Sequence, residues 1–434
     1  MINYLPWKRV HVGGLAVFAI LAGCSRPPSP SYEFEPSPHP LTLKGIAYSR
    51  SARVAADWIS SPSMHMLAVL EDNGVPGLAL LNSEDGGDSL TSPVWASEKG
   101  KPIGSAGENS PAFVWSPDWL YAAWTESRDI RFARSRWGAP FQKPVKVTDK
   151  TTDTYSGYPS IGVAPNGDVY LVWIDTRPQP GSENKETYSV YLARSTDQGV
   201  TFGKNIRVAK DICPCCRPTL AFGPRGEVLV FWRHIYPGPI HDMTVSTTTD
   251  GGNTFSHPER VAADNWKIDG CPDSGPAAAR SGNRVYVAWL TEASPKISGV
   301  RLSWSDDAGK SWAPAVKGSQ NILDANYPAM SVADDGRVVM VFQGRNPNQP
   351  GGWGQTGIFV VTIGRDGNLS LPIPVPGIPS PAHRPAVAAG TGGRVYVVWT
   401  GTVGQKETVY MSRGRLSSKC QEYRESRPVR ACGT

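Results

Sequence analysis

Two groups of residues in this 434-residue chain have the types and spacing for chemistry. The first is a set of polar side chains placed next to recurring prolines and tryptophans. Arg217, Tyr327, His383 and Arg384 each stand immediately or almost immediately before a proline. Glu126, Arg128, Asp175, Arg177, Arg233, His234, Glu292 and Arg345 follow short apolar runs, most of which end in Trp. The planar guanidinium fork of Arg pairs bidentately with a carboxylate or phosphate, so clustered arginines point to an anionic ligand. The second group is the cysteines. Cys213-Pro214-Cys215-Cys216 and Gly270-Cys271-Pro272-Asp273 lie in separate loops, with His234 and His241 in the sequence between them and Asp242 beside the second. Thiolate and imidazole together suit Zn or Cu(I). The same four cysteines are equally suited to two disulfides that staple neighbouring segments, or to free thiols. Cys215 and Cys216 are adjacent, and vicinal geometry disfavours a bond between them, so each needs its own partner. Cys420 and Cys432 lie alone in a polar tail and are expected to pair with each other. No tandem Cys-x-x-Cys pairs with zinc-finger spacing occur, and no cofactor is required by any motif.

The elements that hold these groups recur. A proline-led strand followed by a Trp-ended strand is seen in Ser110-Pro111-Ala112-Phe113 with Tyr121-Ala122-Ala123-Trp124, and in Tyr158-Pro159-Ser160-Ile161 with Tyr170-Leu171-Val172-Trp173. The same pairing recurs at Pro218, Pro276, Pro328 and Pro385, each step spanning 48 to 59 residues. Glycine turns such as Asn166-Gly167 and Arg225-Gly226 join the two strands into hairpins, and Pro is tolerated at a strand's first residue. Repeats of this length, with short strands, mark a β-propeller. Six units are plain, and a degenerate seventh begins at Arg53-Val54-Ala55-Ala56, so the expected fold is all-β with seven blades, six being the alternative. The last unit lacks a fourth strand, which residues 41–48 are expected to supply, closing the ring.

Three units carry a tighter motif: Ser195-Thr196-Asp197-Gln198-Gly199-Val200-Thr201-Phe202, Thr248-Thr249-Asp250-Gly251-Gly252-Asn253-Thr254-Phe255 and Ser305-Asp306-Asp307-Ala308-Gly309-Lys310-Ser311-Trp312. These resemble the Asp-box, the bacterial neuraminidase repeat, and residues 41–416 accordingly resemble the sialidase-like propeller superfamily. In such a box Asp accepts turn hydrogen bonds and Gly adopts a backbone shape other residues resist. Asp197, Asp250 and Asp307 are thus structural. The resemblance implies a glycan ligand and, at its sharpest, an exo-glycosidase. Sialidases hold a carboxylate with three arginines and use a Tyr nucleophile assisted by Glu. On that pattern Arg217, Arg384 and Arg53 are the carboxylate ligands, Tyr327 the nucleophile and Glu292 its partner. The family's Arg-Ile-Pro element lacks its Ile here. The alternative is a non-catalytic binding, metal-handling or redox propeller centred on Cys213, Cys215, Cys216 and Cys271, with His234 and His241 completing a Zn or Cu site. Blade topology puts the loop entering the first strand and the loop linking the second to the third on one face. The Asp-box turns belong to the other.

The opening of the chain reads as an address. Lys8 and Arg9 precede an apolar run over residues 10–21, too short to span about 30 Å of hydrocarbon. Leu21-Ala22-Gly23-Cys24 resembles the lipobox of bacterial lipoproteins, which implies a signal peptide over residues 1–23 and acylation of Cys24. Ser25, where aspartate would retain the protein at the inner membrane, favours the outer membrane of the cell envelope by the same resemblance. Residues 24–40, with repeated Pro and Ser, read as a tether, and residues 417–434 as a tail. The net charge of +6 comes from scattered basic residues, so nucleic acid is not an expected partner. No phosphate-binding glycine loop, Gly-x-Ser-x-Gly elbow or His-Glu-x-x-His helix occurs.

Overall fold

A computed structural model describes residues 32–34, 39–40, 49–56, 63–137, 139–178, 188–348, 355–377, 381–403 and 406–417. They lie in one compact unit, Ser29–Gln421, and the other unit, Met1–Pro28 with Glu422–Thr434, falls outside them. Cys24, Cys420 and Cys432 therefore lie outside the described residues.

Seven antiparallel sheets follow one another along the chain and form a seven-bladed propeller. Blade I begins with Ser49–Ala56, blade II with Ala112–Trp115 and blade III with Ser156–Val163. The inner strands of blades IV to VII are Thr219–Phe222, Ala277–Ser281, Leu323–Val332 and Ala382–Ala389. The middle strands of each blade are the most deeply buried, as in Trp119–Glu126, where every residue is buried. A blade is sandwiched by its neighbours, so both faces of its middle strands must be apolar and the sequence reads as a continuous hydrophobic run rather than an alternation. Five second-strand tryptophans, Trp124, Trp173, Trp232, Trp289 and Trp399, are among the largest fully buried side chains.

The core is divided among the blade interfaces. Seven hydrophobic clusters are found, each joining two adjacent blades. One of them brings Met64 and Met66 of blade I against Tyr396, Val398 and Met411 of blade VII, which closes the ring. The last blade takes its fourth strand from the other end of the chain. Tyr32–Phe34 pairs antiparallel with Lys406–Leu416, Tyr32 opposite Leu416, and His39–Pro40 pairs with the same strand at Met411 and Tyr410. The closing residues thus precede residues 41–48, where the sequence pattern placed them, and fall inside the segment that reads as a tether. Residues 41–48 lie outside the described residues.

The Asp-boxes are built alike. In the box of blade V the Ser305 hydroxyl donates to Asp307 Oδ1 at 2.8 Å, while the Gly309 amide donates to Ser305 Oγ at 2.7 Å. The Ser311 amide and hydroxyl donate to Asp307 at 2.9 and 2.6 Å. A fourth box is present in blade I, with the same bonds among Ser83, Asp85, Gly87 and Ser89 at 2.6 to 2.9 Å. Each box glycine has positive φ and abuts a neighbouring blade. A Cβ on Gly199 would lie 2.5 Å from Phe132, and one on Gly309 would lie 2.7 Å from Leu229. The boxes therefore lock blade to blade.

The bonds to Asp307, led by that from the Ser311 hydroxyl, hold its carboxyl at about 2. A carboxyl depressed in the folded state stabilises the fold above its unfolded value, and this contribution is lost as pH falls through the folded value. Wild type should therefore lose stability between pH of about 4 and about 2 beyond what Asp307→Asn loses. Thermal melting of both proteins at pH 7 and pH 2.5 measures it. A pH-induced drop equal in the two would contradict the assignment.

Candidate functional site

Where the inner strands converge, a cavity of about 250 Å³ opens. Arg217, Tyr327, Arg384, Glu108 and Ser110 supply its polar lining, and Val54, Ala112, Ile161 and Ala278 are among its apolar walls. Prolines are the reason these side chains arrive together. Tyr158, Tyr327 and Arg384 each precede a proline and have φ of 60°, 51° and 49°. A residue before proline ordinarily favours extended backbone, and left-handed backbone at a non-glycine residue costs about 1–3 kcal/mol. Strand pairing slips at the same points, between Gly157 and Ser160, Asn326 and Ala329, and His383 and Ala386. Each is a bulge in an inner strand, the device that re-aims a side chain at a barrel or propeller rim.

Arg384 is the less tightly held of the two arginines lining the cavity. Its guanidinium lies 5.5 Å from the centre of the Tyr327 ring, and its Nη2 is 4.0 Å from Asp273 Oδ2. Burial pushes the Asp273 carboxyl above its ordinary range, with Arg384 opposing that shift. Burial also raises the Tyr327 phenol, again opposed by Arg384. Arg217 is held differently. Its Nε donates to the Glu108 carbonyl at 2.9 Å, and its Nη2 to the Ser110 hydroxyl at 3.0 Å and to the Ser110 carbonyl. Arg217 thus bolts blade IV to the loop entering blade II. The Glu108 carboxylate accepts the Gly275 amide at 3.2 Å. Gly275 has no room for a side chain, since a Cβ would lie 2.2 Å from the Arg217 carbonyl oxygen.

The remaining residues read from sequence fall elsewhere. Arg53 sits in the inner strand of blade I, opposite Leu67, one residue from the cavity-lining Val54. Glu292 is exposed just beyond the strand Arg284–Thr291 and does not line the cavity, whereas Glu108 does. Glu126 and Asp175 are engaged by the core. Trp124 Nε1 donates to Glu126 at 3.2 Å and Trp173 Nε1 to Asp175 at 3.0 Å. Arg177 pairs with Asp175 and Asp149 at 3.0 and 2.7 Å, and Arg345 lies 2.9 Å from Asp324.

The cysteine loops meet beside the cavity, linking blades IV and V. Cys215 and Cys271 form a disulfide, Cα atoms 6.5 Å apart, while Cys213 and Cys216 are free and buried. The Cys213 sulfur lies 2.7 Å from that of Cys216, 3.7 Å from Cys215 and 3.9 Å from Cys271. Cys213 is held down to about 5, chiefly by the hydrogen bond from Cys216, with a further one from His241. Burial pushes the Cys216 thiol well up, while hydrogen bonding from Cys216 lowers Cys213. Arg233 is 1% exposed and donates to the Leu290 and His241 carbonyls at 2.8 and 3.2 Å. No carboxylate among the described residues forms an ion pair with it, and it stabilises the Cys213 charge. His234 is turned away, accepting from Trp232 Nε1 at 3.3 Å with its ring against Tyr236.

The repeat, the Asp-boxes and the seven blades together meet a known pattern. Residues 177–340 match the BNR repeat-like domain. The chain is a seven-bladed β-propeller whose middle carries the BNR repeat-like pattern. Among solved structures, the BNR propeller resembles a protein of unknown function from Dyadobacter fermentans, 13% identical, over 88% of this chain and 100% of that one, with a TM-score of 0.50. It also resembles a puromycin-hydrolyzing peptidase of Mycobacterium tuberculosis, 13% identical with a TM-score of 0.52, over 88% of this chain and 56% of the peptidase. At such identity the likeness is one of fold. No curated protein matches the chain in sequence.

Proposed function

We propose that the BNR propeller binds an anionic glycan in the inner-strand cavity and acts on it as an exo-glycosidase. The observation that carries this reading is the meeting of Tyr327 and Arg384, on bulged inner strands, with Glu108 from a loop lining the same cavity and Asp273 from another loop beside Arg384. Arg384 receives the sugar carboxylate, displacing Asp273. Tyr327 attacks the anomeric carbon as its phenol proton passes to Glu108, which lines the same cavity, and water activated by the then-ionised Asp273 afterwards hydrolyses the glycosyl-tyrosine; a Tyr nucleophile is the exception among glycosidases. Asp273, whose carboxyl burial pushes upward against the pull of Arg384, is the acid that donates to the leaving oxygen. Glu108 stands where a carboxylate partner for Tyr327 is needed. On the same reading the protein is exported, acylated at Cys24 and held at the cell envelope, facing extracellular glycans.

The test is hydrolysis of paired fluorogenic glycosides, one carrying the carboxylate and one its methyl ester. Faster turnover of the carboxylate by about 10²-fold is expected, the worth of a charge-assisted fork. Equal turnover of the two, or none of either, would sink the reading. The acid role has its own signature. Asp273 must be protonated to work, so activity should fall as pH rises through its elevated value, and Asp273→Asn should lose that alkaline limb. An unchanged pH profile in the variant would remove Asp273 from the mechanism.

A further inference from the structure

Four sulfurs from two loops lie in one cluster, and the glycan reading uses none of them. Cys213 is its hub, since it touches the free Cys216 and both halves of the Cys215–Cys271 bond. Its 3.7 and 3.9 Å approaches to Cys215 and Cys271 are van der Waals contacts made broadside to the bond, so a side-chain rotation in the loop must bring Cys213 in line with Cys215–Cys271 before it attacks. The exposures differ in a useful way. Cys213 and Cys216 are buried, Cys215 is half-buried and Cys271 is exposed. Arg233, buried without a carboxylate partner among the described residues, supplies a fixed positive charge that favours the thiolate form of Cys213.

We propose that these four cysteines form an internal disulfide relay, passing one disulfide between the buried pair, Cys213 and Cys216, and the outer pair, Cys215 and Cys271. The Cys213 thiolate attacks Cys215 Sγ. The Cys213–Cys215 bond forms, the Cys215–Cys271 bond breaks, and the electron pair leaves on Cys271 as an exposed thiolate. Cys216 then attacks Cys213 Sγ, forming the Cys213–Cys216 bond and releasing Cys215, which takes up the proton Cys216 gives up. One thiolate and one thiol stand on each side of the exchange, so no outside oxidant enters. The outer pair, reduced by the exchange, is the port for an external dithiol or disulfide. The staple between blades IV and V is open in that state. Cys216 adjoins Arg217 and Cys271 lies two residues before Asp273, so the open staple frees loops that line or flank the cavity.

Cys216→Ser stops the relay at its first step. The purified full-length variant is quenched in acid, unfolded, alkylated with a maleimide and mapped by peptide mass spectrometry, with metal content measured on the same sample. The relay predicts label divided between Cys213 and an outer cysteine. Cys213→Ser, which removes the nucleophile, should carry label at Cys216 and none at Cys215 or Cys271. Label confined to Cys213 in Cys216→Ser would overturn the relay. So would one bound zinc or copper per wild-type chain with all four cysteines reduced. An altered fold in either variant would show as loss of the blade IV–V tryptophan fluorescence seen in wild type, and the wild-type mapping then decides: chains with Cys213–Cys216 bonded and Cys215 and Cys271 alkylated, beside chains with the reverse, support the relay, and either Cys215–Cys271 bonded in every chain or both bonds in every chain overturns it.

Discussion

Arg384→Ala is expected to lower kcat/KM on a carboxylated glycoside by about 10²–10⁴-fold, because two charge-assisted hydrogen bonds of about 1.5–3 kcal/mol each are lost. The loss should be confined to the charged substrate. On a neutral analogue the variant should match wild type within a few-fold, since among the described residues the polar and ring contacts of Arg384 are to Tyr327, Asp273 and a Gln343 side chain that accepts its backbone amide. Removing the guanidinium also withdraws the charge that holds Asp273 down, so the alkaline limb of the pH profile should move upward. Tyr327→Phe should reduce kcat by about 10³-fold or more while leaving binding intact, as deletion of a covalent nucleophile does. Tyr158→Phe is the matched control. Tyr158 shares the left-handed backbone before proline but does not line the cavity. Steady-state kinetics of the three variants on both substrates checks the set, and equal losses for Tyr327→Phe and Tyr158→Phe would assign the tyrosines to packing.

Reduction of the Cys215–Cys271 bond should cost up to about 4 kcal/mol of stability. The bond closes a loop with a sequence separation of 56, and the chain-entropy estimate for a loop of that size is of this order. Chemical denaturation of wild type with and without dithiothreitol measures it, with the Cys215→Ser/Cys271→Ser double variant as reference. The double variant should be insensitive to the reductant. If wild type were equally insensitive, the staple would contribute nothing to the fold.

Much of this architecture was legible because a propeller repeats its constraints. The prolines that open the inner strands and the tryptophans that end the second strands each satisfy a local rule, and both are visible in one dimension. Three Asp-boxes were equally visible, whereas the fourth, Ser83-Glu84-Asp85-Gly86-Gly87-Asp88-Ser89-Leu90, hides because Leu90 stands where the others have an aromatic. Relaxing that one position finds it, and Leu90 still packs against the blade VII–I core. The closing strand was misplaced because Tyr32–Phe34 is only three residues long, and its pairing is decided by a partner almost four hundred residues away.

The site was legible in part for a related reason. Strand-end logic put Arg217, Tyr327 and Arg384 on one face, and the cavity gathers all three. It could not separate a ligand-facing group from one spent on the core. Glu126, Asp175 and His234 satisfy buried indole N–H groups, which must find acceptors. Arg217 spends its donors on the carbonyls of Glu108 and Ser110. Glu108 and Asp273 carry no repeat signal, because they sit in loops of irregular length. That the cysteine loops meet followed from adjacent blades sharing a face, but of the two staples the sequence suggests only Cys215–Cys271 is formed, and Cys213 and Cys216 are free.

The central claim is that the inner-strand cavity is where an anionic sugar sits. A crystal structure with an unsaturated, carboxylated monosaccharide that mimics the glycosidase transition state tests it most directly. The account predicts the sugar carboxylate on Arg384, the Asp273–Arg384 contact broken, and the anomeric carbon facing the Tyr327 hydroxyl. A sugar bound on the Asp-box face, with Arg384 still beside Asp273, would contradict it.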